Sequence, residues 1–260
     1  MSAALAAEAR EDVTLGDYAS LFGFLRSAVM QEGRLVEMAV QQAVQHNSGL
    51  LLLPAKPMPI VPAAQEMLKR TPADQLKGVR FPVRVHSTET YRPDLFVVNR
   101  TSHIGLILDI KRSLASYRPQ EIDRLRFRML AVAAIAPEWI AEHQRTLLVG
   151  AEIAIIDGAD EISDHERGVF RLSEIDHLLE AQGAAESIKQ VREEFSSRVQ
   201  EELARRCRNL ATGPSERYPA PASTNPVEPP EGVEESPSSV VPLQTSPIRR
   251  FGYARRPSFH

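Results

Sequence analysis

The chain has 260 residues, a hydrophobic content of 43% and a net charge of −3, which excludes a wholly disordered protein, a collagen-like fibre and a disulfide scaffold. It has one cysteine, no run of about 20 apolar residues and no basic-then-apolar start, so internal disulfides, membrane helices and a secretory signal are not expected. We therefore expect a soluble cytoplasmic protein, in which any contact with nucleic acid depends on a local basic surface.

The first ordered segment is predicted to be a helix over residues 14–47, after a disordered N-terminus of residues 1–13. Apolar residues spaced four apart between Leu35 and Val44 form one continuous stripe along this helix. Glu37 lies beside the stripe. The helix is therefore expected to pack on a core with Glu37 near the edge of the buried face.

The next part of the chain is predicted to contain three strands. Prolines exclude a helix over residues 54–62, and residues 63–77 are a short helix candidate. Strands are predicted over residues 79–87, 93–99 and 103–112, the last two joined by a polar hairpin turn. The third strand is apolar on both faces, which is typical of a strand covered by helices on both sides.

A helix is predicted to begin at Pro119 and to end before Pro137. A strongly apolar strand follows over residues 146–156, and a shorter strand and helix are predicted over residues 169–172 and 173–181. A strand, a helix and another strand in this order indicate a crossover between parallel strands. The pattern predicts an α/β domain over residues 14–185, with helices flanking a central mixed sheet.

Two segments follow this domain. A C-terminal helix is predicted over residues 186–211, with an apolar residue every third or fourth position and Cys207 in the core. Residues 212–260 carry 10 of the 19 prolines and are expected to be a disordered tail. The tail ends in arginines interleaved with aromatic residues, a combination that can bind nucleic acid or a protein partner, although a solvated tail end is the simpler interpretation.

Two carboxylates and a lysine are predicted to converge at one end of the hairpin. Side chains alternate along a strand, so Asp109 and Lys111 share one face and Ile110 lies on the other. A turn centred near Thr101 places Asp94 opposite Leu108 and next to Asp109. Paired carboxylates repel each other unless a cation neutralises them.

A hard divalent cation suits such a pair of carboxylates, since Mg²⁺ is commonly bound by one or two carboxylates together with water. The ion can activate water for attack on a phosphate. A nearby lysine such as Lys111 can position this water, assist its deprotonation or stabilise the transition state. Glu37 could supply a third carboxylate. The alternative interpretation is a structural ion pair between Lys111 and the two aspartates.

The runs Arg92-Pro93-Asp94 and Leu108-Asp109-Ile110-Lys111 resemble the PD-(D/E)xK nuclease superfamily. The resemblance implies a restriction-endonuclease-like α-β-β-β-α-β core over roughly residues 15–180 and Mg²⁺-dependent hydrolysis of DNA, with Mn²⁺ as a substitute. The implied catalytic and metal-binding residues are Asp94, Asp109, Lys111 as the catalytic lysine, Glu37 as an accessory carboxylate and the carbonyl of Ile110 as a further ligand.

The helix that begins at Pro119 carries a polar stripe. Gln120, Arg124 and Arg128 are spaced by four and share one face, and Arg118 precedes them. A cationic stripe near the carboxylates could contact the DNA backbone. An ordinary solvated face in an arginine-rich chain is an equal alternative. Tyr117 is a further residue that could touch substrate.

The sequence therefore predicts a metal-dependent endodeoxyribonuclease whose partner is DNA, with no membrane partner. The C-terminal helix is a candidate homodimer interface. The alternative function is a non-catalytic module on the same scaffold, which binds nucleic acid or a protein through the C-terminal helix and the tail.

Overall fold

The computed structural model describes residues 12–71, 79, 81–83 and 87–212. Most of the predicted disordered N-terminus and nearly all of the predicted tail lie outside the described residues. The described elements are α1 (Ala19–His46), β1 (Leu50–Leu53), β2 (Met58–Pro59), α2 (Pro62–Arg70), β3 (Thr90–Tyr91), β4 (Leu95–Asn99), β5 (Ile104–Lys111), α3 (Pro119–Gln144), β6 (Gly150–Asp157), β7 (Val169–Arg171), α4 (Ile175–Leu178) and α5 (Ala184–Thr212).

A five-stranded mixed sheet forms the centre of the protein, with strand order β1-β4-β5-β6-β7. The β1/β4 and β4/β5 pairs are antiparallel, and the β5/β6 and β6/β7 pairs are parallel. Helix α3 connects β5 to β6, as a parallel pair requires. The predicted α/β class with a mixed central sheet is thus confirmed. Strands β2 and β3 form a separate antiparallel pair.

The sheet is buried on both faces because its strands alternate between two apolar clusters. On β4, Phe96 and Val98 pack with the buried residues of α3, whereas Leu95 and Val97 pack with the valines of α1. Ile110 joins the α1 side. The predicted apolar stripe on the first helix is confirmed by the burial of Val36, Val40 and Val44.

The prediction of a first strand over residues 79–87 is wrong for the part of this segment that the structure describes. Residues 79, 81–83 and 87 lie outside any strand, and the remaining positions are outside the described residues. The strand that pairs with β4 is instead β1, a run of four leucines. The alternation of Val79, Phe81 and Val83 has another cause, since these side chains pack against the α3-side cluster.

Helix α3 does not end before Pro137 as predicted but continues to Gln144. A proline inside a helix costs about 3 kcal/mol. Ala136, Trp139 and Ile140 are nevertheless buried on either side of this position, and their burial outweighs the lost hydrogen bond. The predicted strand over residues 146–156 begins later, at Gly150.

Helix α5 runs antiparallel to α1 and packs along it. Arg192 donates to Glu32 at 2.9 Å, and near the other end of the pair Arg206 donates to Ser20 at 3.2 Å and lies 4.6 Å from the ring centroid of Phe24. The predicted burial of Cys207 is wrong, because this residue is exposed. Next to it, Arg206 makes the contacts with Ser20 and Phe24 of α1.

Candidate functional site

The ends of β4 and β5 bring Asp94 and Asp109 to neighbouring positions. Leu95 pairs with Leu108, and the backbone N–H of Asp94 donates to the Leu108 carbonyl at 3.1 Å. The predicted register is therefore off by one residue, because Leu95 rather than Asp94 lies opposite Leu108. The predicted proximity of Asp94 to Asp109 is confirmed, since continuing this register places them side by side. The Asp94 side chain is fixed by the strand end itself, since its Oδ2 accepts a hydrogen bond from the backbone N–H of Ile110 at 2.7 Å.

Asp109 and Lys111 lie on the same face of β5 and are in direct contact. Asp109 is 4% exposed, and its Oδ1 forms an ion pair with Nζ of Lys111. The backbone of Lys111 is anchored as well, because its carbonyl accepts from the N–H of Gly158 at 2.7 Å. The strand end that carries the lysine is thus held by the neighbouring chain segment.

Tyr91 is a residue of this site that the sequence did not predict. It is 5% exposed, and its hydroxyl donates to Oδ2 of Asp109 at 2.7 Å. The guanidinium of Arg128 lies 5.5 Å from the centroid of its ring. The only sequence signal for Tyr91 is an amphipathic aromatic residue shortly before Pro93, which is too common to predict a site.

The negative charges of the two carboxylates repel each other. Burial and the negative charge of Asp109 raise the pKa of Asp94 to about 6, and Glu37 adds to this effect. The N–H of Ile110 and the ammonium of Lys111 act in the opposite direction but do not outweigh it. Asp94 therefore carries a negative charge at neutral pH that its surroundings only partly compensate.

Lys111 is held in its charged form. Burial alone would lower its pKa, but contact with Asp109 and the nearby carboxylate of Asp94 raise it above the ordinary value. The site thus holds a protonated lysine at neutral pH. Of the three roles predicted for Lys111, stabilising negative charge fits this state best, because an ammonium cannot accept a proton.

Glu37 lies on α1 beside the buried Val36 and is half-buried. Its influence on the pKa of Asp94 places it in the neighbourhood of the site. Among the described residues, however, no group of three or more His, Cys, Asp or Glu side chains could hold a metal ion. The structure therefore does not bring Glu37 together with both aspartates as a three-carboxylate cluster. The role of the Ile110 carbonyl as a further metal ligand stays a prediction.

A third aspartate, Asp157 at the end of β6, is fully buried but has a different role. Burial would raise its pKa, but four backbone N–H groups outweigh that effect and lower the pKa below its usual range. The donors are Ile162, Leu114, Glu161 and Ala159 at 2.8, 2.9, 3.0 and 3.3 Å. Asp157 thus ties the turn after β6 to the segment that follows β5.

The predicted basic stripe lies partly on the surface at the start of α3. Arg118, Gln120 and Arg124 are exposed, and Tyr117 is 41% exposed. Arg128 has contacts within the protein, since its guanidinium donates to the carbonyl of Thr90 at 2.8 Å and lies 3.3 Å from a carboxylate oxygen of Glu89. The contacts of these residues with DNA stay predictions.

Comparison of the chain with protein-family models, with curated proteins and with solved structures finds no match. Within the part of the chain that the structure describes, no helix combines the length and the apolar character needed to cross a membrane.

Proposed function

We propose that this protein is a metal-dependent nuclease that hydrolyses phosphodiester bonds of DNA, built on a restriction-endonuclease-like arrangement. The observation that carries the proposal is the pair Asp94 and Asp109 at one sheet end, with a single protonated lysine that contacts Asp109. One ammonium neutralises one of the two charges. A second cation would neutralise the remaining negative charge.

The residues present fit a divalent cation. Mg²⁺ keeps several of its water ligands and is usually bound by one or two carboxylates together with substrate phosphates, so it needs no dedicated three-carboxylate cage. Asp94 and Asp109 would hold the ion, with Glu37 and the carbonyl of Ile110 as further proposed ligands. Mn²⁺, which accepts the same oxygen ligands, is proposed as a substitute.

Different residues of the chain have different proposed roles in the reaction. A bound divalent cation would supply an activated water and charge neutralisation at the phosphate. The ammonium of Lys111 is proposed to stabilise the negative charge that develops on the phosphate oxygens. Arg118 and Arg124, exposed at the start of α3, are proposed to contact the DNA backbone beside the site.

The experiment is a cleavage assay with supercoiled plasmid and labelled single strands in Mg²⁺, in Mn²⁺ and in EDTA. Lys111→Ala is expected to abolish cleavage without changing the circular dichroism spectrum. Lys69→Ala is the matched control, because Lys69 is an exposed lysine whose ion pair with Glu66 lies within α2. Metal-dependent cleavage by the wild type and the control, lost in Lys111→Ala, would support the proposal.

Two results would contradict it. Full activity of Lys111→Ala would remove the proposed role of the lysine. DNA binding without cleavage, insensitive to EDTA and lost when the chain is truncated after Thr212, would instead support a non-catalytic binding module that acts through its C-terminal tail.

A further inference from the structure

The buried hydroxyl of Tyr91 contacts a different oxygen of Asp109 from the one that Lys111 contacts. Lys111 contacts Oδ1 and Tyr91 donates to Oδ2. We propose that Tyr91 is a positioning residue that fixes the orientation of Asp109 and thereby sets the affinity of the site for a divalent cation. The inference rests on the proposed function, because it assumes that Asp109 is a metal ligand.

The reason lies in how a carboxylate is oriented. With Lys111 as its only partner, Asp109 could rotate about its side-chain torsions and follow the flexible ammonium. A second hydrogen bond from a rigid phenol on another strand removes this freedom. Hydrogen-bonding partners that orient a metal ligand typically contribute 10- to 100-fold in metal affinity or activity.

Tyr91 is itself held from two sides. It pairs with Met58 in the small β2/β3 sheet, and its ring lies under the guanidinium of Arg128. Arg128 is fixed in turn by the carbonyl of Thr90. The arginine thus connects α3 to the strand that carries the phenol, and its support for Asp109 is indirect.

A merely structural tyrosine would behave differently from a positioning one. If the hydroxyl only satisfied a buried carboxylate, its removal would lower stability and leave the affinity for the cation unchanged. If the hydroxyl orients Asp109, its removal weakens cation binding while the affinity for DNA is unaffected. The two roles are therefore separated by a metal titration performed without DNA.

The experiment titrates Mn²⁺ into the full-length protein without DNA and measures the free ion by electron paramagnetic resonance. Tyr91→Phe, which keeps the ring, is expected to bind Mn²⁺ about 10- to 100-fold more weakly than the wild type. Tyr18→Phe is the matched control, because Tyr18 is an exposed tyrosine that precedes α1, and it is expected to bind like the wild type. In cleavage assays, Tyr91→Phe should need more metal for half-maximal rate but show an unchanged KM for DNA.

Arg128→Gln provides a second variant that leaves the hydroxyl in place, and is expected to weaken Mn²⁺ binding in the same direction by a smaller factor. It keeps the inference testable if Tyr91→Phe does not fold. Wild-type affinity in the folded variants would overturn the role of Tyr91 and leave the nuclease proposal standing. Absence of Mn²⁺ binding by the wild type would overturn the proposed function, and this inference with it.

Discussion

Replacing Asp94 by asparagine is expected to make the protein more stable at alkaline pH while abolishing DNA cleavage. Asparagine has nearly the same shape, and its side-chain oxygen can still accept the hydrogen bond from the N–H of Ile110. What the substitution removes is a half-buried negative charge next to Asp109. A residue that lowers the stability of its own fold is expected where function requires the charge.

The size of the effect follows from the pKa of Asp94, which is about 6 in the folded protein and about 3.9 in an unfolded chain. Because folding raises this pKa, the folded state is favoured below the unfolded pKa, and that advantage is lost as the pH rises through 6. The charged Asp94 therefore lowers the free energy of unfolding at alkaline pH by at most about 3 kcal/mol. Its partial exposure reduces this effect to about 2 kcal/mol. For a domain of about 150 to 250 residues this corresponds to an increase in Tm of about 4 to 8 °C at pH 8.

The assay is urea unfolding of the wild type and Asp94→Asn between pH 4.5 and pH 8.5, in EDTA. The control is Asp157→Asn, for which the opposite sign is expected. Folding lowers the pKa of Asp157, so its stabilising effect is present at neutral pH and is lost as the pH falls. Asparagine cannot accept all four N–H groups, at a cost of about 3 kcal/mol at pH 7. An Asp94→Asn variant that is less stable at pH 8, or whose difference from the wild type does not depend on pH, would refute the reasoning.

Three further predictions concern the surroundings of the site. Gly158→Ala is expected to destabilise the protein by about 1 to 3 kcal/mol and to slow cleavage, because its Cβ would lie 2.8 Å from the carbonyl oxygen of Lys111. Gly23→Ala on α1 is the control, since a Cβ at this position meets nothing within 4 Å. It should stabilise the protein by about 0.5 to 1 kcal/mol in the same urea assay. Glu32→Gln, which removes the ion pairs to Arg112 and Arg192, is expected to cost about 1 kcal/mol, and unfolding curves in 1 M NaCl should show little difference from the wild type. Mg²⁺ at about 100 times its Kd is expected to stabilise the wild type by about 2.7 kcal/mol at pH 8, and an equal shift in Asp94→Asn would contradict the assignment of this aspartate as a ligand.

The β4/β5 hairpin could be predicted because local chemistry determines its register. The side-chain oxygen of Asn99 accepts from the N–H groups of Thr101 and Ser102 at 2.9 and 3.0 Å. This turn aligns the two strands, and the alignment places Leu95 opposite Leu108 and Asp94 next to Asp109. The proximity of the two carboxylates could therefore be predicted from a segment of fewer than 20 residues.

The missed features depend on contacts between distant parts of the chain. Strand β1 is recognised only by its pairing with β4, more than 40 residues later. Tyr91 reaches Asp109 across 18 positions and is held by Arg128 of α3. Local patterns contain no information on such pairings. The alternation of Val79, Phe81 and Val83 therefore favoured a strand over residues 79–87, whereas in the structure these three side chains pack on the core and lie outside any strand.

Asp157 and Asp94 differ in how the fold surrounds them, and the proposed cation site would account for the difference. Asp157 shows how this fold accommodates a buried carboxylate for stability, since four backbone donors surround it and lower its pKa. Asp94 receives one backbone hydrogen bond and lies next to a second carboxylate, so that its pKa is raised. At the same end of the sheet, folding therefore lowers the pKa of Asp157 and raises the pKa of Asp94. An arrangement that served stability alone would give Asp94 further donors or a second lysine, whereas a site that binds a cation must keep this negative charge uncompensated until the cation arrives.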